Sequence, residues 1–186
     1  MELNQKIIIK GEITARFYRQ ENPLLIRWNK FLDCLIKKLP SFRKDILRFY
    51  QKGSLILVDS RTNLICNAGL ARWAGMLSGD ITGDQVVNYM ALGTGVAAPA
   101  VGDTTLGTEA YRNATASSTY LSNICYLTAF YTAAECNGTY TEFGNFINGT
   151  GAANSGYLWS HIGSISWVKD VLTTLTVDCK YTFASV

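Results

Sequence analysis

The C-terminal part of the chain carries the pattern that most constrains its fold. Between residues 174 and 183, apolar and polar side chains alternate strictly, and the apolar set is Leu175, Val177, Cys179, Tyr181 and Phe183. A period of two is that of a β-strand, whose successive side chains point to opposite faces. We therefore expect a strand with its apolar face in a core and its polar face in water.

Much of the chain before this strand has the same character. Three segments have the length and composition of strands: residues 124–132, 139–147 and 158–168. Asn137-Gly138, between the first two, predicts a β-hairpin with a two-residue type I′ turn. The prediction is a mainly β protein, in which residues 86–186 form an antiparallel β-sandwich of the jelly-roll kind.

The N-terminal part begins as a strand and then changes period. Residues 6–18 have strand character with a bend at a glycine. From Pro23, apolar residues recur at steps of three and four, the pattern of one helix face: Leu25, Trp28, Leu32, Leu35 and Leu39. Ser41 is a candidate cap for a second helix over residues 42–52. The two helices form a helical hairpin, called the arm below.

A strand and one further helix are expected after the arm. Residues 55–58, Leu-Ile-Leu-Val, predict a short buried strand. Arg61-Thr-Asn63 then offers a cap for a helix that runs to Leu77. Gly79, just past that helix, is the residue type that commonly ends helices.

The charge is distributed unevenly along the chain. Residues 1–60 carry 12 Lys and Arg against 6 Asp and Glu, whereas residues 61–186 carry 5 against 8. Opposite net charges favour two roles for the two parts. The expected division is N-terminal strands with the inserted arm at about 23–52, followed by a helix and β-sandwich domain. The sequence does not mark a sharp domain boundary, and the opening strands can join the same sheets as the strands of the β-sandwich domain.

The sequence predicts neither a metal site nor a cofactor. No Cys-x-x-Cys pair occurs, so we expect reduced and mostly buried thiols at residues 34, 66, 125, 136 and 179. Asp80, Asp84 and Asp103 do not match a calcium-binding loop. Gly93-Thr-Gly95 lacks the third glycine and the following helix of a phosphate-binding loop, so it is interpreted as a sharp turn.

The sequence also argues against an enzyme. His161, the one histidine, shares a predicted strand face with Trp159 and is interpreted as a packed or partly exposed strand residue. Glu135 and Glu142 flank the predicted hairpin, but nothing signals the cleft that a pair of catalytic acids requires. Asp103 and Glu109 likewise lack recognisable partners. No nucleophile motif, zinc motif or P-loop is present.

The arm is the strongest candidate for an interaction surface. A small helical hairpin cannot bury its apolar face alone, so it must dock on its own domain or on another subunit. Protein contact is favoured over nucleic acid, because the arm has no DNA-reading pattern, and no membrane contact is expected. The predicted assembly residues are Leu25, Trp28, Leu32, Leu35, Leu39, Arg27, Lys30, Lys37, Lys38, Arg43 and Lys44.

A helix-like run over residues 63–79 precedes four segments in fixed order: Tyr89-Met-Ala-Leu-Gly-Thr-Gly95, Ala98-Pro99, Asp103-Thr-Thr-Leu-Gly107 and Glu109-Ala-Tyr-Arg112. As a set, and with later segments to the C-terminus, they resemble a family of structural proteins of tailed bacteriophages over about two thirds of the chain. The resemblance implies a β-sandwich virion module of tails, baseplates, fibres or head attachments, without catalytic residues. The arm departs from the family pattern, in which a strand hairpin is expected.

The expected function is therefore a structural component of a tailed phage particle, in the tail, baseplate, collar or fibre attachment. Its partners would be copies of itself and other virion proteins. One alternative is a capsid decoration protein. Another is a receptor- or glycan-binding module at a fibre tip, with stacking surfaces from Tyr111, Tyr120, Tyr131, Tyr140, Tyr157 and Trp159. No signal-peptide core or apolar run of roughly 20 residues is seen, so synthesis in a host cytoplasm is expected.

Overall fold

The computed structural model describes residues 7–185, in which eleven strands and three α-helices follow one another. The helices are α1 (Pro23–Lys38), α2 (Arg43–Leu47) and α3 (Asn67–Ser78), and a 3₁₀ turn, Pro40–Phe42, leads into α2. The strands are β1 (Ile7–Arg19), β2 (Ser54–Ile65), β3 (Val87–Gly93), β4 (Glu109–Ala114), β5 (Ser117–Leu121), β6 (Ile124–Tyr131), β7 (Gly138–Tyr140), β8 (Glu142–Ile147), β9 (Tyr157–Ile162), β10 (Trp167–Lys169) and β11 (Thr173–Ser185).

Nine strands form one antiparallel sheet in the order β4-β3-β8-β9-β2-β1-β11-β6-β5, and β7 pairs with β10 in a second, small sheet. The large sheet curls so that its two halves enclose one apolar core. Ile13 of β1, Phe143 of β8, Trp159 of β9 and Val177 of β11 all belong to that core. The predicted fold class, a mainly β sandwich with an inserted helical hairpin and one further helix, is confirmed.

The last strand has the predicted orientation. Val177, Cys179 and Tyr181 are buried, and Phe183 packs partly buried against the same core. The opposite face is not simply in water, because Thr174 and Thr176 are buried as well. Thr176 lies opposite Phe130 of β6, and the arm packs on Phe130. The arm therefore covers part of the outer sheet face, which the alternation of β11 does not reveal.

The predicted hairpin at Asn137-Gly138 is wrong. Strand β6 pairs with β11 and β5, whereas β7 pairs with β10, so the flanking strands are not partners. The segments 139–147 and 158–168 each contain two strands, one in each sheet. The Asn137 side chain donates to the Ala133 carbonyl and accepts from Lys169, with Nδ2···O and Nζ···Oδ1 distances of 3.1 and 2.9 Å. These bonds shape the loop that leads from β6 in the large sheet to β7 in the small sheet.

The segment after the arm also differs from its prediction. Residues 55–58 are exposed, not buried, and the strand continues through residues 61–63 to Ile65. The next helix starts at Asn67 with Cys66 as its N-cap residue, so residues 61–63 do not cap it. It ends as predicted, because Gly79 adopts the left-handed conformation (φ 81°).

The arm is an insertion between neighbouring strands. Strands β1 and β2 pair over residues 11–19 and 54–63, and the arm connects them. The two parts predicted from the sequence, residues 1–60 and 61–186, share one sheet. The second arm helix is shorter than expected, and the Ser41 side chain does not cap it.

Candidate assembly surface and buried polar centre

The arm docks on the β-sandwich of its own chain. Leu32 of α1 and Tyr50, after α2, pack with Phe130 of β6 in a small apolar cluster. The Tyr50 and Phe130 rings meet edge to face, with centroids 5.3 Å apart. Tyr50 Oη accepts from the Ala133 amide at 3.1 Å, and burial raises the pKa of Tyr50 to about 12. Tyr50 is therefore a neutral anchor.

An ion pair completes this docking. Arg43 donates from Nη1 and Nη2 to the two Glu135 carboxylate oxygens, at 2.7 and 3.0 Å, and from Nη2 to the Phe130 carbonyl at 2.8 Å. Both side chains are largely buried. Glu135 also accepts from the Thr132 amide. Such bidentate, charge-assisted bonds fix orientation as well as adding stability.

Arg43→Ala is expected to loosen the arm and lower the free energy of unfolding by about 2 kcal/mol, because it leaves a largely buried Glu135 without its cation. Trypsin should then cleave faster within residues 23–52, where exposed lysines are plentiful. The matched control is Lys37→Ala, which removes an exposed cation of α1. Equal cleavage rates in both variants would contradict the docking role of Arg43.

The predicted assembly residues divide into three groups. Leu32 and Arg43 are engaged within the chain, so they are removed from the predicted contact set. Leu25 and Leu35 are half-buried. The others are exposed: Trp28, Leu39, Arg27, Lys30, Lys37, Lys38 and Lys44. Four apolar residues that the predicted stripe did not include join them in solvent: Leu24, Phe31, Phe42 and Phe49.

The helix is rotated relative to the predicted stripe. The buried residues of α1 are Asn29, Leu32, Asp33 and Ile36. Asn29 exchanges hydrogen bonds with the Gln51 backbone, at 2.8 and 3.1 Å, and this satisfies its amide in the interior. Two polar residues thus turn inward, and Trp28 and Leu39 turn out.

Strand β2 presents an open apolar edge. Among the residues that the structure describes, 54–63 pair with β1 on one side, whereas β9 pairs with β2 only at Leu64 and Ile65. Residues 55–58 are 44–52% exposed. A register shift opposite Phe17 and Tyr18 leaves Ile56 without a partner in β1, and such bulges re-aim side chains. An exposed apolar strand edge is a template for pairing with another chain.

A buried carboxylate organises the loop between β3 and β4. Glu142, at the start of β8, accepts from the backbone amides of Gly95, Gly107 and Thr108 at 2.8, 2.9 and 2.8 Å. Its side chain is 1% exposed. Burial alone would raise the pKa of Glu142, but the three amides and His161 outweigh it and hold the pKa below its usual value. The carboxylate is therefore an ionised anchor for the loop over residues 94–108.

His161 links this anchor to Asp103. Its Nε2 lies 3.1 Å from Glu142 Oε2, and its Nδ1 lies 2.8 Å from Asp103 Oδ2. Asp103 also accepts from the Ala100 amide. A carboxylate oxygen therefore lies within hydrogen-bond distance of each ring nitrogen. Neither nitrogen is left to act as a base toward a substrate.

Gly93 and Gly95 allow the backbone to approach the Glu142 carboxylate closely. A Cβ atom on Gly95 would lie 2.5 Å from Glu142 Oε1, and one on Gly93 would collide with the same oxygen. The sharp-turn interpretation of these glycines misses the carboxylate that they accommodate. The sequence feature that could have indicated this contact is the presence of Gly93, Gly95 and Gly107 in one segment, because glycine allows the backbone to approach another group closely.

Several acids that the sequence analysis treated as unpartnered have partners. Glu109 forms a buried bidentate pair with Arg112, with N···O distances of 2.5 and 2.6 Å. Glu135, Glu142 and Asp103 are paired as described above. The reasoning that these acids lack partners is therefore wrong. The partners could not be identified from the sequence, because most of the pairs join segments that are far apart in the chain.

Potential metal ligands do not converge in the described part of the chain. Asp80 and Asp84 lie in the turn after α3, whereas Asp103 is bound to His161. Within residues 7–185, no group of three or more His, Cys, Asp or Glu is arranged to hold a metal ion. All five cysteines are free thiols, and Cys66, Cys136 and Cys179 are buried as predicted.

An aromatic cavity of about 530 Å³ lies between the two halves of the curled sheet. Trp73 of α3 stacks between Trp159 and Phe183, with ring centroids 4.5 and 5.1 Å away. Of the aromatics proposed for glycan stacking, Tyr131, Tyr140 and Trp159 are buried in the core, which removes them as exposed platforms. Tyr120, at the rim of the cavity, is largely exposed.

Three further observations concern the molecule as a whole. In the described part of the chain, no helix has both the length and the apolar character needed to cross a lipid bilayer. The exposed apolar side chains instead concentrate on the arm and on β2. No protein-family model, curated protein or solved structure matches the chain.

Proposed function

We propose that this protein is a structural component of a tailed phage particle that acts by assembling with copies of itself and with other virion proteins. The observation that carries the assembly role is the open edge of β2, with residues 55–58 half-exposed. The virion assignment rests on the resemblance of residues 63–183 to tailed-phage structural proteins. The ionised Glu142 anchor supports a scaffold role, because it rigidifies the resembling loop and leaves His161 no free nitrogen.

The β2 edge suits a second copy of the chain. In two-fold antiparallel self-pairing centred on Ile56, that residue lies opposite Ile56 of the second copy, and Leu55 lies opposite Leu57. A two-fold contact of this kind uses the same patch on both subunits. Covering four half-exposed side chains on each copy contributes on the order of 8 kcal/mol. That is comparable with the cost of association, so β2 alone makes a weak dimer.

The arm supplies the additional apolar area. Trp28 donates from Nε1 to the Phe49 carbonyl at 3.0 Å, which brings the two residues together shortly before β2 begins. The Phe31 ring lies beside Trp28, with centroids 5.8 Å apart. All three side chains are exposed. The exposed lysines of the arm would pair with the part of a neighbouring copy beyond residue 60, which carries the net negative charge.

Ile56→Lys is expected to weaken self-association at least tenfold, because two-fold pairing brings two added lysines close together on an apolar interface. The measurement is sedimentation velocity over a range of concentrations. The matched control is Thr62→Lys, which adds the same charge at an exposed position of the same strand. Unchanged association of Ile56→Lys, or a wild-type protein that stays monomeric at its highest soluble concentration, would overturn the β2 contact.

The virion assignment is tested separately. Antibodies against the folded protein should label intact phage particles at discrete positions, and mass spectrometry of purified particles should detect the chain in stoichiometric amount. Failure of both measurements with a protein that does assemble through β2 would refute the virion role and leave the assembly role standing.

A further inference from the structure

The aromatic cavity lies where the sandwich is open. Its walls come from β3 and the end of β4 in one half of the sheet, and from β5, β6 and β11 in the other, with α3 between them. The apolar lining includes Trp73, Cys125, Leu127, Trp159 and Phe183. A volume of about 530 Å³ falls in the range of small-molecule sites, which are concave and mostly apolar with a few polar groups.

Most polar groups inside the cavity wall are already satisfied, whereas Trp73 Nε1 is buried without a hydrogen-bond partner among the described residues. The Asn88 amide exchanges hydrogen bonds with the Gly149 backbone, at 2.9 and 2.7 Å. Gln85 accepts from Arg72 and Asn148 at 3.0 and 3.2 Å. Apart from the Trp73 N–H, these contacts leave the interior of the cavity to apolar surface, which favours an apolar ligand body.

The rim has a different character. Among the described residues that line the cavity, Lys44 is the one that carries a charge. It is exposed, and the Arg43–Glu135 pair beside it holds α2 against the sandwich. Ser118, Thr119 and Tyr120 of the exposed strand β5 add hydroxyl groups to the rim. A single cation with neighbouring hydroxyl donors fits an anionic head group.

We propose that this cavity binds a single-chain amphiphile whose apolar tail enters between the sheet halves and whose carboxylate lies beside Lys44. A second copy of the arm fits less well, because the arm and the cavity rim are both positively charged. A sugar also fits less well, because Trp159 and Phe183 already cover the two faces of Trp73. This inference does not depend on the virion assignment.

Decanoate is the probe, and decyltrimethylammonium is the comparison with the same tail and the opposite charge. Calorimetric titration of the wild-type protein should show saturable binding of decanoate and weaker binding of the cation. Lys44→Glu should weaken decanoate binding about fivefold and strengthen binding of the cation. The matched control, Lys30→Glu, changes an exposed lysine of α1 that does not line the cavity, and it should leave both affinities unchanged.

A second variant tests the tail site. Ser118→Trp places a large side chain at the exposed rim and should abolish binding of both amphiphiles, while the circular dichroism spectrum and melting temperature stay close to wild type. The proposal is overturned if the wild-type protein shows no saturable decanoate binding. It is also overturned if Lys44→Glu and Lys30→Glu act alike, or if folded Ser118→Trp binds decanoate normally.

Discussion

Glu142→Gln is expected to lower the free energy of unfolding by about 3 kcal/mol or more at neutral pH. The carboxylate accepts from three backbone amides and faces His161, and its side chain is 1% exposed. A glutamine amide has one oxygen and an NH₂ group, so at least one backbone donor would face another donor. Gly93 and Gly95 lie too close for the side chain to move aside easily.

Urea unfolding of both proteins measures this difference. The matched control is Glu12→Gln, because Glu12 is an exposed acid whose pair with Lys180 lies at the surface, where ion pairs contribute little. A loss below about 1 kcal/mol in Glu142→Gln, or one equal to that of the control, would show that the carboxylate is not the anchor of its loop.

The same contacts make the free energy of unfolding depend on pH. The pKa of Glu142 in the folded protein lies below its ordinary value of 4.5, because the amides and His161 outweigh burial. The folded state therefore holds the ionised form more strongly than the unfolded chain does. This stabilisation is fully present above about pH 4.5 and is lost as the pH falls through the folded pKa. The difference between wild type and Glu142→Gln should accordingly shrink in acid, and a constant difference down to pH 3 would contradict the linkage.

Val177→Asp is expected to prevent folding, with a loss on the order of 5 kcal/mol or more. Val177 is fully buried in the centre of β11, between Ala15 of β1 and Ala129 of β6. A carboxylate there has neither water nor a cation. Circular dichroism and solubility should report an unfolded or aggregated chain, and Val177→Ala should stay folded but be less stable by about 2 kcal/mol.

The structure changes the choice of control for Val177→Asp. The alternation in the sequence makes Thr176→Asp the tolerated partner, but Thr176 is buried and its hydroxyl has no hydrogen-bond partner among the described residues. Ala184→Asp is the better control, since Ala184 is exposed near the end of the same strand. A folded Val177→Asp protein, with stability close to that of Ala184→Asp, would contradict the assignment of the core face.

The residues of the polar centre could not be found together from the sequence. Glu142 and Gly95 are separated by 47 positions, and His161 and Asp103 by 58. Pattern reading detects periodicity and short motifs, whereas these contacts exist only after β3, β8 and β9 have paired in the sheet. The interpretation of Glu142 as an acid without a partner failed for that reason.

In the arm too, some features could be predicted from the sequence and others could not. Its first helix begins at Pro23 as the periodicity predicts, and Asn22 caps it by accepting from the Leu24 amide. The face that is buried was not predictable from apolar spacing. Asn29 and Asp33 turn inward because the returning chain near Tyr50 and Gln51 offers them hydrogen-bond partners.

The sequence by itself determined the features that local physics controls. These are the β11 strand with its apolar face, the first arm helix, the glycine that ends α3 and the arm as an insertion between two strands. Only the tertiary structure decided where β2 loses its neighbour, which arm residues remain in water, and how one carboxylate is enclosed. Those properties depend on pairing between distant segments, because burial and hydrogen bonding are set by neighbours in space and not by neighbours in the chain.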